Sequence, residues 1–201
     1  MFASRKEAGM KLAEKLASYK DANVVVLGIP RGGVAVAAPI AQVLHAELGV
    51  AVAKKLPLPG NLEFAIGAVA EDAVSMDAGY ATTLGKEYVA AIAGQLRTVV
   101  RERLKAFSEQ PPVKGRVAII VDDGMATGHT VNAAVLSVRK KSPSKVVVAV
   151  PVASKQAVAL VGPNCDELVI LDTPEDFMGV GEFYRDFPQL SDEDVRRLLK
   201  K

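Results

Sequence analysis

The amino-acid sequence predicts an α/β fold of three layers, in which helices cover both faces of a mainly parallel sheet. Two observations support this prediction. Short apolar runs of strand length alternate with longer helical patterns along most of the chain, and this alternation is typical of parallel sheets built from strand–helix–strand units. In addition, residues 117–121 are apolar at every position, as is usual for a strand whose two faces are both covered by helices.

Hydrophobic periodicity places the individual elements. The predicted strands are residues 24–28, 50–54, 65–70, 73–76, 117–121, 145–152 and 167–171. The predicted helices are an N-terminal helix with Ala8, Leu12, Leu16 and Tyr19 on one stripe, residues 34–48, residues 86–107, a helix that begins near Thr130, residues 155–161, and a C-terminal helix that starts at Ser191. The runs 65–70 and 73–76 form a predicted hairpin, because Glu71 and Asp72 interrupt them. The long helix is expected to bury Ile92, Leu96, Val99, Val100, Leu104 and Phe107.

Composition excludes several classes of protein. The 201 residues are 50% hydrophobic and 24% charged, which suits one domain covering residues 1–201 with a full-sized core. A net charge of +2 gives no general attraction to nucleic acid, and no apolar span approaches the roughly 20 residues needed to cross a membrane. Cys165 is the single cysteine, so an internal disulfide is excluded and a cytoplasmic location is expected.

Two adjacent acids, Asp122 and Asp123, directly follow the apolar run 117–121. The loop after them consists mainly of small residues: Gly124, Met125, Ala126, Thr127, Gly128, His129 and Thr130. Open α/β sheets bind ligands at the carboxyl ends of their strands, and backbone N–H groups at a helix N-terminus attract anions. Two strand-end carboxylates beside a phosphate cradle suit a sugar phosphate, and Asp123 is expected to be accessible to solvent.

A second loop, Arg31-Gly32-Gly33, follows the first predicted strand. Its spacing does not match the G-x-G-x-x-G fingerprint of dinucleotide-binding proteins. The two glycines permit a close approach of the backbone to a ligand, and Arg31 offers paired N–H donors to phosphate oxygens. Lys54 and Lys55 end the second predicted strand, where two cations are placed to bind an anion. The two loops would therefore hold opposite ends of one doubly phosphorylated ligand.

The segment 121–130 resembles the phosphoribosyl-pyrophosphate (PRPP) motif of type I phosphoribosyltransferases, which has a hydrophobic strand, two acids, small residues and Thr-Gly followed by a hydroxyl residue. The resemblance implies that Asp122 and Asp123 hold the ribose hydroxyls and that residues 124–130 surround the 5′-phosphate. The loop at Arg31 resembles the family's pyrophosphate-binding loop. It implies that Arg31, Gly32, Gly33, Lys54 and Lys55 bind pyrophosphate, with Lys55 the preferred lysine.

The same resemblance implies a reaction, a cofactor and an assembly. Members of this family transfer ribose 5-phosphate from PRPP to a nitrogen nucleophile, usually a nucleobase, and release pyrophosphate. The catalytic residues implied are Arg31, Lys55, Asp122 and Asp123. Mg²⁺ would arrive with PRPP, with no metal bound directly by protein ligands alone, and the protein would be a homodimer that binds PRPP and a small-molecule acceptor, not nucleic acid or membrane.

Two features bear on the acceptor. Ala126 occupies the position where hypoxanthine-guanine-type enzymes carry an acid, and a side chain without a titratable proton cannot act as a general base. This disfavours a 6-oxopurine. A C-terminal hood, at about 173–201 together with the N-terminal helix, is expected to cover the acceptor, with Phe177, Phe183 or Tyr184 stacked on it or, alternatively, anchoring the C-terminal helix.

Three alternatives to phosphoribosyl transfer stay open. Residues 56–64 would form a lid like that of orotate-type enzymes, but they contain no Lys, Arg or His to reach a leaving group, which favours a regulator that senses PRPP or a nucleotide without turnover. A nucleic-acid module is disfavoured because basic residues and aromatics are not interleaved. A phosphohydrolase is disfavoured because no nucleophile or water-activating base is evident.

Overall fold

Eight strands form two separate sheets in the computed structural model, which describes residues 1–107 and 110–200. The strands are β1 (Val24–Gly28), β2 (Glu47–Val50), β3 (Ala53–Leu58), β4 (Asn61–Ala70), β5 (Val74–Met76), β6 (Val117–Val121), β7 (Lys145–Val152) and β8 (Glu167–Asp172). The helices are α1 (Arg5–Lys15), α2 (Gly32–Leu44), α3 (Ala78–Leu84), α4 (Lys86–Ala106), α5 (His129–Arg139), α6 (Lys155–Val161) and α7 (Asp192–Leu199).

The larger sheet is entirely parallel and has the strand order β2-β1-β6-β7-β8. Side chains alternate between its two faces because the strand repeat is two residues. Ile119 therefore packs with Leu12 of α1 and Ile40 of α2 on one face, whereas Ile120 packs with Val135 of α5 on the other face. The predicted three-layer α/β fold is confirmed.

The strand order places a crevice between β1 and β6. The chain passes from β1 to β2 on one side and returns to β6 on the other side of β1, so the order of strands reverses between β1 and β6. Ligands of open α/β sheets bind at such a reversal, outside the carboxyl ends of the strands. Gly28 pairs with Val121 at these ends, and both loops singled out in the sequence begin there.

The smaller sheet is antiparallel, with the order β3-β4-β5. Ala53 and Ala68 pack against Ala133 of α5 on one face, whereas Leu56 and Val69 pack toward α4 on the other face. The predicted hairpin is confirmed as β4 and β5. The predicted strand 50–54 is wrong, because it joins the end of β2 to the start of β3, which belong to different sheets.

The predicted helix 34–48 is also wrong at both ends. The helix starts at Gly32 and ends at Leu44, where His45 takes a left-handed conformation with φ of 56°. Residues 47–50 then pair with β1, because apolar residues there fit a buried strand as well as a helix. A short helix, α3, was not predicted; its N-terminus is capped by the Asp77 carboxylate, which accepts from the N–H groups of Gly79 and Tyr80.

The long helix α4 is confirmed, but one of its expected core residues is not buried. Val100 and Phe107 are fully buried, whereas Val99 is 43% exposed. Neighbouring residues on a helix point about 100° apart, so Val99 points away from the core cluster in which Val100 packs with Val50 and Val52. None of the described helices is both long and apolar enough to cross a bilayer.

The C-terminal segment divides into two parts. Tyr184 packs with Phe2 beside the start of α1, and the backbones of these residues form a parallel bridge. Further on, α7 begins with a capping box at Ser191, and its Val195 joins a cluster with Val34 and Phe107. Residues 173–200 are thus tied to two different parts of the main body.

Candidate active site

A cavity of about 460 Å³ opens at the carboxyl ends of β1 and β6. Both loops singled out in the sequence contribute to it, together with residues of β3 and β4. Its lining includes Ile29, Pro30, Arg31, Gly32, Lys55, Phe64, Ala65, Gly67, all residues 122–131 and Val180. Residues separated by about 90 positions in the chain therefore share one cavity.

The two acids differ in their surroundings. Asp122 accepts a hydrogen bond of 2.9 Å at Oδ1 from the backbone N–H of Asp123. Burial raises the pKa of Asp122 well above its ordinary value of 3.8, and the adjacent charge of Asp123 raises this pKa further. The side chain of Asp123 is only 17% exposed. Asp123 is thus partly buried, but it lines the cavity.

Asp123 is paired with Arg5, a residue that the sequence did not single out. Arg5 Nε donates to Asp123 Oδ2 over 2.8 Å, and Arg5 Nη1 donates to the carbonyl of Pro188 over 2.8 Å. The guanidinium carbon lies 3.7 Å from the centroid of the Phe187 ring, which favours a cation. The available signal in the sequence was a charged residue, Arg5, on the same helical face as the apolar residues Ala8 and Leu12.

The two positions after Arg31 must be glycine because the carboxylates of Asp122 and Asp123 lie directly against them. A Cβ atom on Gly32 would lie 1.9 Å from Asp123 Oδ2, and one on Gly33 would lie 2.6 Å from the Val121 carbonyl oxygen and 2.9 Å from Asp122 Oδ1. Any side chain would thus displace the carboxylates. The start of α2 and the end of β6 can approach this closely only with glycine at both positions.

The backbone N–H groups of the loop 124–130 do not all face the cavity. The N–H of Met125 donates to the Val152 carbonyl over 2.9 Å, and the Met125 side chain is buried in the core, so this residue faces the sheet. The first N–H groups of α5 have no intrahelical partners. Gly128, with φ of 80°, sets the start of α5 against Ala157, which leaves no space for a side chain.

His129 is held in one orientation by two buried residues. The Asn132 amide donates to Ser75 Oγ over 2.9 Å, and Ser75 Oγ lies 2.9 Å from His129 Nδ1. The direction of the hydrogen bond between Ser75 Oγ and His129 Nδ1 depends on the imidazole tautomer. In the neutral form of the imidazole, one ring nitrogen donates and the other accepts. Burial lowers the pKa of His129, which favours this neutral form.

The two lysines of β3 point in different directions. Lys55 lines the cavity. Lys54 does not; it lines a second cavity together with Arg31. Adjacent side chains of a strand project to opposite faces. The predicted strand 50–54 ended at the two lysines, whereas in the structure both lie inside β3 and therefore point to opposite faces.

The predicted aromatic residues do not lie among the described residues that line the cavity. Tyr184 is buried, its hydroxyl donates to the backbone carbonyl of Asp123 over 2.7 Å, and burial raises its pKa far above the usual value. Phe177 and Phe183 stack on each other with centroids 5.4 Å apart. Phe64, which is 47% exposed, is the aromatic residue on the cavity wall. In the sequence, Phe64 ends the predicted lid segment 56–64, and this position was the available signal that it lies near the ligand.

The family model for the phosphoribosyl transferase domain matches residues 3–181. The chain belongs to this family. Provisionally named phosphoribosyl transferases of two Mycobacterium tuberculosis strains are 40% identical over 207 residues. The match covers 100% of this chain but 47% of each relative, so the chain spans about half the length of these curated relatives.

Two solved structures share the fold of this chain. A crystal structure of a Thermus thermophilus protein matches with a TM-score of 0.84 and 41% identity, over 99% of this chain and 97% of that one. A purine phosphoribosyltransferase from Pyrococcus horikoshii matches with a TM-score of 0.53 and 18% identity, over 95% and 97% of the two chains. At that identity the second likeness concerns the fold alone.

The donor set in the cavity of this family member would suit Mg²⁺ that arrives with a phosphorylated ligand. Among the described residues, no group of three or more His, Cys, Asp or Glu side chains is arranged to hold a metal ion. Asp122 and Asp123 offer carboxylate oxygens, but one oxygen of Asp123 is engaged by Arg5. Mg²⁺ commonly binds through one or two carboxylates together with substrate phosphates and water, which is the combination these residues permit.

Proposed function

We propose that this chain transfers ribose 5-phosphate from PRPP to a nitrogen nucleophile, such as a nucleobase, and releases pyrophosphate. The observation that carries the proposal is that three kinds of group line one cavity. They are the loop at the N-terminus of α5, the acid pair Asp122 and Asp123, and the cations Arg31 and Lys55. PRPP has three matching parts: a 5′-phosphate, ribose hydroxyls and a pyrophosphate group.

In this proposal, Arg31, Lys55 and the backbone at Gly32 and Gly33 bind the pyrophosphate group. The bond between this group and the anomeric carbon breaks, so negative charge grows on the departing oxygen. Fixed cations stabilise that charge in the transition state. Asp122 and Asp123 orient the ribose hydroxyls and favour the positive charge that develops on the sugar. Mg²⁺, when bound with PRPP, neutralises part of the pyrophosphate charge.

At the opposite end, we assign the 5′-phosphate to the loop that precedes α5. Its N–H groups at Ala126, Thr127, Gly128, His129 and Thr130 provide the donors, and the dipole of α5 adds a partial positive charge. Met125 contributes shape alone, because its N–H is already bonded to Val152. The proposed phosphate site therefore has one N–H donor fewer than the sequence predicted.

Ribose 5-phosphate should raise the pKa of His129. The free imidazole has a lowered pKa because it is partly buried, and a nearby phosphate dianion favours the protonated form. Since the complex then takes up a proton, affinity for ribose 5-phosphate should increase as pH falls through the raised pKa. NMR titration of the histidine signals tests this. His45 lies outside the cavity and is the control; a His129 signal that ignores the ligand would contradict the assignment.

Pyrophosphate release from PRPP across a panel of bases and amines tests the activity. Hypoxanthine and guanine should be poor acceptors, because Ala126 offers no general base. Phe64→Ala should raise the acceptor KM more than the PRPP KM, since a stacking ring contacts the base alone. Phe183→Ala is the matched control, because Phe183 stacks on Phe177 away from the cavity lining. Efficient transfer to hypoxanthine would overturn the Ala126 argument.

The second candidate is a regulator that binds PRPP without turnover. The segment 56–64 forms the turn end of the hairpin of β3 and β4 and contains no Lys, Arg or His, so it brings no cation over the leaving group. Tight PRPP binding with no pyrophosphate release for any acceptor would favour this candidate. The homodimer and the cytoplasmic location stay predictions.

A further inference from the structure

A second cavity, of about 560 Å³, shares Pro30 and Arg31 with the first cavity. Its other lining residues are Lys54, Val99, Arg103 and Asp192. The charged groups are thus three cations and one carboxylate, so the cavity is positively charged. Its volume lies in the range of about 300–1,000 Å³ that is usual for small-molecule sites.

Strand alternation explains why Lys54 belongs to this cavity. Ala53 packs toward α5, and Leu56 packs toward α4. Because alternate residues of a strand share a face, Lys55 lies on the α5 side and Lys54 on the α4 side. Val99 and Arg103 are one helical turn apart on α4 and meet Lys54 there. Two adjacent lysines therefore serve two different cavities.

Arg103 has one donor without a hydrogen-bond partner in the described part of the chain. Its Nη2 is 2.9 Å from Asp192 Oδ1, and its guanidinium carbon lies 5.6 Å from the centroid of the Phe107 ring. These contacts hold the side chain in place. Its Nε, however, is buried without a hydrogen-bond partner among the described residues. Buried donors are normally paired, so this N–H is available to an acceptor that reaches it from the cavity.

We propose that the cavity formed by Arg31, Lys54 and Arg103 is a second anion site, which binds a phosphate group of a small molecule. Phosphate suits it because guanidinium groups donate paired hydrogen bonds to phosphate oxygens, and Lys54 adds a point charge. Asp192 orients Arg103 and leaves a net positive charge for the ligand.

Inorganic phosphate is the probe, and the Arg103 Nε–H signal in a nitrogen-edited NMR spectrum is the readout. Phosphate should shift this signal in the full chain. In Lys54→Met the same shift should need about tenfold more phosphate or above, as expected for the loss of one charged hydrogen bond. Lys55→Met is the matched control, since it removes the neighbouring lysine on the opposite face and should leave the Arg103 titration within about twofold of wild type. An Arg103 signal that phosphate does not shift, or that shifts equally in all three proteins, would overturn the site.

The site also has a regulatory consequence, which rests on the proposed function. Arg31 lines both cavities, so a phosphate in the second cavity competes with the pyrophosphate group of PRPP for one guanidinium. Phosphate should therefore weaken PRPP binding more in wild type than in Lys54→Met, and binding coupling of this kind is reciprocal. Equal weakening in both proteins would overturn the coupling. Failure of PRPP to bind either protein would overturn the proposed function and this coupling, while the Arg103 titration would still decide the anion site.

Discussion

Asp122→Asn should raise the thermal stability of the protein at neutral pH and reduce its affinity for PRPP by about a hundredfold or more, as expected when charged hydrogen bonds to a ligand are lost. Burial and the charge of Asp123 raise the pKa of Asp122 in the folded protein. Ionised Asp122 therefore costs folding free energy. Asparagine has nearly the same shape and still accepts the N–H of Asp123, but carries no charge.

The sign of the pH dependence follows from proton binding. Between the ordinary value of 3.8 and the raised value in the folded protein, the folded state holds more protons than the unfolded state. The free energy of unfolding of the wild type thus falls as pH rises through this window. The stability advantage of Asp122→Asn should appear over the same window and persist at neutral pH. Calorimetric Tm values across pH measure it, at about 2–4 °C per kcal/mol for a chain of this size.

Asp123→Asn is the informative control, because it should change stability in the opposite direction. Its carboxylate is paired with buried Arg5 at 2.8 Å, so the neutral amide leaves that guanidinium without a counter-charge. Both variants should lose PRPP affinity. A lower Tm for Asp122→Asn at neutral pH would show that ionised Asp122 does not destabilise the fold. PRPP affinity equal to that of wild type would show that the carboxylate does not bind PRPP.

The sequence was sufficient where local pattern and tertiary environment agree. The strand Val117–Val121 and the helix Lys155–Val161 have the predicted bounds. A fully apolar run of five residues fits a buried strand, and the helix is capped by the side chain of Ser154. The two ligand loops were found for the same reason. Each follows a buried strand, and the carboxyl ends of adjacent parallel strands meet at one edge of a sheet.

The sequence was insufficient where a residue's role depends on which sheet it joins. Residues 47–58 are divided between two sheets, and no local pattern marks the change at Ala51 and Val52. The separation of Lys54 from Lys55 follows from that division. Phe64 reaches the cavity and Tyr184 does not, because one lies on a hairpin and the other is fixed by Phe2, which is 182 positions away in the chain.

The contact between Arg5 and Asp123 joins residues 118 positions apart, and it carries the second large prediction. Arg5→Met should lower stability by about 3 kcal/mol, since it leaves a largely buried carboxylate unpaired. Tm should fall by about 6–12 °C at the sensitivity expected for this chain length. The variant also loses the contacts of Arg5 with the Pro188 carbonyl and the Phe187 ring, so the C-terminal segment should become more open to proteolysis.

A merely structural role for Arg5 would end there, but its charge has a further effect. The positive charge of Arg5 lowers the pKa of Asp122 and so opposes the effect of burial. Without Arg5, the pKa of Asp122 should rise further, and PRPP binding that requires ionised Asp122 should be lost at a higher pH as the solution is acidified. Arg5→Lys keeps the charge but loses the paired geometry, so it should recover the pH profile more fully than the Tm. Calorimetric PRPP titrations across pH, in wild type and both variants at a temperature where each is folded, measure this. Identical pH profiles for wild type and Arg5→Met would limit Arg5 to holding the C-terminal segment in place.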